Sequence, residues 1–389
     1  MLIYHQCGHN FGWNIQSLQD DGAGEGLIIS PVNVESDRIR DRVPEDVLVR
    51  SWMDPQFYLP YDSKSKLASY PFFPGNVLEQ FTTADFESHA ADVAKACLGF
   101  QHSLGLRYLV IPTRYFEDLP DNYLGQLDSL FVEPFLEAQH ELGLVQPLLL
   151  TIIAKPLHIE PGMLRDELLS WATGYQEVTG VYLMFDNNFH SKQIKDAGYL
   201  AGALRFVRAL RLNDLEVHLG YCGLEGLLLS VADPTSASVG SYENLRSFGT
   251  LRLETREPGV RRGPRARIYS GRLLQWIEDT YLPPLRELTP HWPDFVDDSP
   301  YKEYLLNPNS SLSFQRSEIY KHYFRVFSQQ VAALPAVPDR AEHLRERVTE
   351  ALGLFDLIRA SGVFLDPDSD HSHLPAWLNA LAMFEARPE

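Results

Sequence analysis

The chain has 389 residues, 44% of them hydrophobic and 22% charged, with a formal net charge of −18. That length accommodates one large domain and a smaller one, and the negative charge opposes sequence-independent binding to phosphate backbones. The three cysteines, Cys7, Cys97 and Cys222, are far apart and contain no C-x-x-C pair, which excludes a disulfide framework and a cysteine zinc knuckle. No basic, apolar leader precedes the first strand-like run and no apolar stretch reaches membrane-spanning length, so the expectation is a soluble, cytoplasmic protein.

Eight short apolar runs recur along the first two-thirds of the chain: Leu2–Cys7, Leu27–Val32, Val47–Met53, Arg107–Ile111, Leu148–Ala154, Val181–Asp186, Glu216–Tyr221 and Thr235–Val239. Runs this apolar and β-branched suit strands buried on both faces, and each is followed by a helical pattern. The expected fold is α/β, a (β/α)8 TIM barrel over residues 1–285 with a mostly helical C-terminal region over 286–389. Helices are expected at Asn14–Asp21, near Thr83–Leu104, and at Asn122–Leu142, Pro161–Glu177, Lys195–Leu212 and Gly271–Tyr281. Ser317 is expected to cap Glu318–Leu334, and Asp339 to cap Arg340–Ser361, with Gly362 closing the latter. A long insertion at 58–105 opens with an aromatic and proline-rich stretch, Tyr58 to Pro74, that reads as a lid or wall over the barrel mouth.

A barrel keeps its chemistry just past the C-terminal ends of its strands. Those positions supply His5, Cys7 and His9; Asp54 and Gln56; Thr113 and Arg114; Lys155 and His158; Asp186, Asn188 and His190; His218 and Tyr221; and Ser236, Ser238, Tyr242 and Arg246. Asp54 and Asp186 end the third and sixth strands and can face each other across the mouth as an acid–base or nucleophile pair; helix capping or a salt bridge to Arg50 or Arg114 is the plainer alternative. Lys155 ends an otherwise apolar strand, where a desolvated amine can act as a base, a Schiff-base former or an anion clamp. His5-x-Cys7-x-His9 alternates, so a metal completed by Asp54 or Asp186 is one reading and packing the other. Seven arginines between Arg252 and Arg272 either hold an acidic group or form a solvated loop. Asp366, Asp368, Asp370, His371 and His373 lack the glycine and terminal glutamate of a calcium loop and read as a turn.

Asp54-Pro55-Gln56-Phe57 resembles the Asp-containing base-recognition segment of the tRNA-guanine transglycosylase-like superfamily. His218-Leu219-Gly220-Tyr221-Cys222-Gly223 with the helix Leu224–Ala232 is similar to that family's seventh strand and helix. Ala232–Ser238 falls where its nucleophile segment lies, and Arg267-Ile268-Tyr269-Ser270 resembles segments of divergent bacterial members. The resemblance covers Val47 to Leu274 and implies a barrel that exchanges or removes a base. The chain lacks the family's double glycine and its C-terminal Cys/His zinc site, and it carries serines, with Asp233 alongside, in place of the nucleophilic aspartate.

The expected function is therefore that of a TIM-barrel transferase or hydrolase acting on a nucleobase, nucleoside or glycosyl-type substrate, with no cofactor. Asp54, Asp186 and Lys155 are the catalytic candidates. His5, Gln56, Arg114, Asn188, His190, Tyr221 and Arg246 are the substrate-binding ones, and no metal ligands are assigned. Two alternatives stand beside it: a non-catalytic barrel docking a protein partner through its C-terminal helices, and a metal-dependent hydrolase built on His5 and His9.

Overall fold

A computed structural model describes residues 1–59, 65–76, 86–186, 192–250 and 264–386. Eight parallel strands are formed: β1 (Leu2–Gln6), β2 (Gly26–Ile29), β3 (Trp52–Met53), β4 (Leu109–Ile111), β5 (Leu148–Ala154), β6 (Val178–Phe185), β7 (Glu216–Leu219) and β8 (Ser236–Gly240). They make one sheet in the order β3-β2-β1-β8-β7-β6-β5-β4. Its two ends meet: the Arg107 N–H donates to the Ser51 carbonyl and the Tyr115 N–H to the Tyr58 carbonyl, both at 2.9 Å. The sheet is a nearly closed (β/α)8 barrel.

Strand residues alternate between lumen and outer layer, as the pleat requires. Tyr4, Ile28, Trp52, Tyr108, Val110, Leu149, Tyr182 and Met184 fill the lumen, while Ile3, Leu27, Met53, Leu109, Leu150, Leu183, Val217 and Val239 face the helices. Both faces are apolar, which is why the strands appear in the sequence as unbroken hydrophobic runs. The third run is the exception. Glu45–Leu48 makes a turn of helix, and the strand is confined to Trp52 and Met53.

The helical ring comprises α1 (Gly12–Asp20), α2 (Ala90–Ser103), α3 (Tyr123–Leu127), α4 (Glu133–Glu141), α5 (Met163–Ala172), α6 (Ala197–Leu212) and α7 (Glu225–Leu229). A π-helical turn, Asp128–Val132, joins α3 to α4. Asp196 caps α6 by accepting the Tyr199 N–H at 2.9 Å, a contact typically worth about 1 kcal/mol. Helix α5 starts at Met163, two residues past the proline expected to open it.

After β8 the expected helix Gly271–Tyr281 is replaced by an antiparallel hairpin, β9 (Arg267–Ser270) and β10 (Gln275–Glu278). Tyr269 pairs with Trp276 and Ile268 with Ile277, so each face carries one apolar cross-strand pair. Leu274 takes a left-handed conformation with φ of 50° to close the turn. Four-residue strands are too short for their alternation to be distinguished from a helical turn by pattern.

Three longer helices follow, α8 (Ser317–Ala332), α9 (Arg340–Ala360) and α10 (Leu374–Glu385). Helix α8 packs on β1 and α1, with Phe324 4.5 Å from the His5 ring and Tyr320 stacked on Trp13 at 5.6 Å. It takes the place of the eighth barrel helix, displaced along the chain by the hairpin region. Ser317 lies inside α8 and binds Glu318 instead of capping, and Asp339 precedes α9 without a side-chain cap. Gly362, at φ 85°, ends α9: its N–H reaches the Arg359 carbonyl at 3.0 Å and the Val363 N–H reaches that of Ile358 at 3.3 Å. One continuous outer core runs from Ile3 to Leu381, so the C-terminal helices share it with the barrel. Among the described residues no helix is long and apolar enough to cross a membrane.

Candidate functional site

Asp54 follows β3 on the lumen side and is 1% exposed. Its Oδ1 accepts the Tyr58 hydroxyl at 2.6 Å and the Gln56 N–H at 3.2 Å; its Oδ2 accepts the Tyr221 hydroxyl at 2.7 Å. Gln56 is equally buried. Its amide nitrogen donates to the Tyr221 hydroxyl at 3.3 Å, and its Oε1 accepts the Val32 N–H at 3.0 Å. Gln56 and Tyr221 both occupy the left-handed region, at φ 62° and 47°. For residues with a β-carbon this is costly, and such positions gather at functional sites. Burial, followed by the Asp54 charge, holds the Tyr58 phenol well above the usual tyrosine range. The cluster thus offers a carboxylate with two phenolic protons fixed on it. Phe248 closes over these residues, its ring 5.3 Å from that of Tyr58, 5.8 Å from Tyr221 and 6.0 Å from Tyr115.

Tyr115 leads to a second group. Its hydroxyl donates to Asp186 Oδ2 at 2.9 Å, and Lys155 Nζ sits 4.6 Å from its ring centre. Lys155 Nζ donates to the Glu117 carbonyl, and burial lowers its pKa against the opposing charges of Asp186, Asp118 and Glu117. His158 Nδ1 accepts the Lys155 N–H at 3.2 Å and its Nε2 meets the Tyr123 hydroxyl at 3.1 Å; burial, aided by Lys155, pushes it down to about 4. Arg114 lines the same narrow crevice with Thr113, Tyr115, Lys155 and His158. Burial lowers its guanidinium from the usual range.

Other candidates lie elsewhere. His5 pairs in register with Leu27 and Val239, both outward-facing, so its ring points away from the lumen. It binds the Ala23 carbonyl and, at 3.1 Å, the Asn14 amide, and burial lowers it to about 4. Cys7 faces the same outer layer, while His9 is exposed. His5 is therefore a core histidine rather than a substrate contact. The alternation of His5 and Cys7 holds, but the face they share is the outer one, and Gln6 holds the lumen position instead, accepting the Tyr182 hydroxyl at 3.2 Å. Among the described residues no group of three His, Cys, Asp or Glu side chains could hold a metal ion.

Arg246 also leaves the mouth. Its guanidinium stacks 4.0 Å from the Trp276 ring and 5.7 Å from that of Tyr323, between hairpin and α8. Asp233 precedes β8, at the opposite end of the barrel from the site, and pairs with Arg340 at 3.1 Å, so it cannot replace the missing nucleophile. His218 is in the lumen floor, held by Ser236 Oγ at 2.8 Å and Glu216 at 3.1 Å. Ser238 Oγ accepts the Cys222 N–H at 3.1 Å. Arg265 and Arg267 are engaged by Glu278, and Arg272 by the Asp294 carbonyl at 2.9 Å; these three serve the hairpin region rather than an anion site. Asp368 joins Arg267 and Lys192, and His373 is buried against the Leu274 carbonyl at 3.0 Å. Asn188, His190, Arg252, Arg256, Arg261 and Arg262 lie outside the described residues.

Three further residues join the site: Tyr58, Tyr115 and Phe248. Tyr58 opens the aromatic stretch that the sequence marks as a wall of the barrel mouth, and the left-handed turn at Gln56 lies between it and Asp54. Tyr115 and Phe248 are brought in by loops.

No family model and no curated protein matches the chain. Among solved structures, a dihydrodipicolinate synthase from Oceanobacillus iheyensis is similar at 9% identity and a TM-score of 0.26, over 81% of this chain and 83% of that one.

Proposed function

We propose that the barrel is an enzyme acting on a nucleobase, nucleoside or glycosyl-type substrate at the face of Phe248. The observation that carries this reading is Asp54, a buried carboxylate in the lumen clamped by two phenols and flanked by two strained residues. A carboxylate so fixed is suited to accepting a proton from a ring N–H, or to stabilising a cationic sugar carbon, without reorganising. Tyr115, half-buried beside Phe248, supplies an aromatic face on which a planar ring can stack. Asp186, oriented by Tyr115, would be the second carboxylate, and Arg114 the group that meets an anion.

Incubation of the full chain with a panel of purine and pyrimidine nucleosides, followed by chromatography of the released bases, tests this. Base release or exchange by the wild type, lost in Asp54→Asn, is expected. Absence of turnover together with absence of nucleobase binding by calorimetry would overturn it.

A second reading has its own support. The lumen is filled by Tyr4, Trp52, Tyr108 and Tyr182, while Leu357 and Phe364, at and just after α9, are 59% and 75% exposed. A protein partner seated there would be lost on Leu357→Asp with Phe364→Asp, while Asp54→Asn would leave it bound.

A further inference from the structure

We propose that Lys155 is an amine nucleophile that captures the carbonyl carbon of a short aldehyde or ketone bearing an anionic group, in the crevice lined by Thr113, Arg114, Tyr115 and His158. This goes beyond the reading centred on Asp54 and does not depend on it.

The placement of Lys155 differs from that of a structural lysine. It ends β5 on the lumen side, at the C-terminal face of the barrel, and is 6% exposed. A buried lysine normally survives by direct pairing with a carboxylate. Among the described residues Lys155 has no such pair: its hydrogen bond goes to the neutral Glu117 carbonyl, and Asp186 acts on it as a nearby charge. A neutral amine can keep that bond with one N–H and still present its lone pair. The desolvation that lowers its pKa enlarges the neutral fraction. His158, held neutral, adds no competing charge beside it.

Tyr115, which lines the same crevice, links it to a proton carrier, Asp186. Tyr115 lies under the amine and is bonded to Asp186 at 2.9 Å. In the addition step the nitrogen lone pair forms the C–N bond, and the carbonyl π pair moves to oxygen. A proton passes from nitrogen to that oxygen through Tyr115 and Asp186, giving the carbinolamine. The proton that the Lys155 ammonium gave up on becoming the free amine, held on Asp186, then passes to the hydroxyl, which leaves as water while the nitrogen lone pair forms the iminium. Overall, the Lys155 ammonium and a carbonyl give an iminium and one water, both of whose hydrogens come from nitrogen, so no oxidant or reductant is consumed. The crevice has about 30 Å³ of room, enough to seat the carbonyl end group of a small molecule. Arg114 on its wall favours a neighbouring carboxylate or phosphate.

The test is reductive trapping on the full chain at neutral pH. Glyoxylate and sodium cyanoborohydride are supplied at limiting concentration, and carboxymethylation is mapped by peptide mass spectrometry. Lys155 is expected to be modified at least about tenfold faster than Lys95, whose ammonium is stabilised by Glu141, and Lys195, which donates to the Pro367 carbonyl. Glyoxylate should outcompete acetaldehyde at Lys155, and Arg114→Gln should erase that preference. Tyr115→Phe keeps the ring beneath the amine and should slow trapping at Lys155 while leaving Lys95 and Lys195 unchanged. Modification of Lys155 no faster than of Lys95 and Lys195, or equal rates with the two aldehydes, overturns the proposal. Trapping requires nothing of Asp54, so this result and the nucleoside assay succeed or fail separately.

Discussion

A carboxylate enclosed by two phenols responds to substitution differently from one at a solvated strand end. Asp54→Asn keeps volume, but it turns one acceptor into a donor facing hydroxyls that already donate. The expected loss of stability is about 1–3 kcal/mol, read as a lower unfolding midpoint in urea. If Asp54 carries the reaction, activity falls by about 10²–10⁴-fold as well. Tyr221→Phe separates the two effects. It removes the hydrogen bond to Oδ2 and the one that Tyr221 accepts from Gln56, and should cost about 1–3 kcal/mol while leaving the carboxylate in place. An equal loss of activity in both variants would assign the chemistry to the phenol rather than to the acid.

At the scale of single elements, backbone approach decides what each position tolerates. Gly180 on β6 lies across from Glu216 on β7, and a β-carbon built there would come within 2.5 Å of the Glu216 carbonyl oxygen. Backbone cannot move aside without parting the two strands, so Gly180→Val is expected to yield insoluble protein, checked by the soluble fraction on expression. Gly362 faces no neighbour, and its constraint is conformational: at φ 85° it ends α9. Gly362→Ala should therefore cost only about 1 kcal/mol. A loss of several kcal/mol on thermal unfolding would show that packing, not φ, controls that turn.

Across the whole molecule, the barrel and the C-terminal helices act as one body. Trp377 on α10 is fully buried, and the α10 helix packs against α6. Trp377→Ala is expected to destabilise the entire chain by about 3–5 kcal/mol, with barrel and C-terminal helices unfolding in a single transition. Acid should do the same. His5, His158, His322 and His373 are all buried, and burial lowers each to about 4 from an ordinary value of 6.5. Between those values the unfolded chain binds protons that the folded one refuses. Stability is therefore fully present above pH 6.5 and declines as pH falls toward 4, by up to about 1.4 kcal/mol per pH unit for each histidine. Melting curves between pH 7 and 4.5 check this; a flat midpoint would mean that these imidazoles are protonated in the fold.

The sequence by itself determined the barrel, because strands buried on both faces must be apolar throughout, and seven of the eight runs coincide with strands to within a few residues. It also determined that Asp54, Lys155 and Asp186 lie at the ends of barrel strands, since position along a strand is local information. It could not determine which way a strand faces: His5 and Gln6 are neighbours, and a rotation by one residue exchanges lumen for outer layer. Only the pairing of β1 with β2 and β8 settled that, sending His5 toward α8. The hairpin in place of Gly271–Tyr281 is of the same kind, because cross-strand contact between Tyr269 and Trp276 outweighed local preference. So is the division of the arginines, where Arg246 found Trp276 and Arg267 found Glu278 from distant parts of the chain. Tertiary structure alone gathered Tyr58, Tyr115, Tyr221 and Phe248 around two carboxylates, because long-range loop packing leaves no period in the sequence.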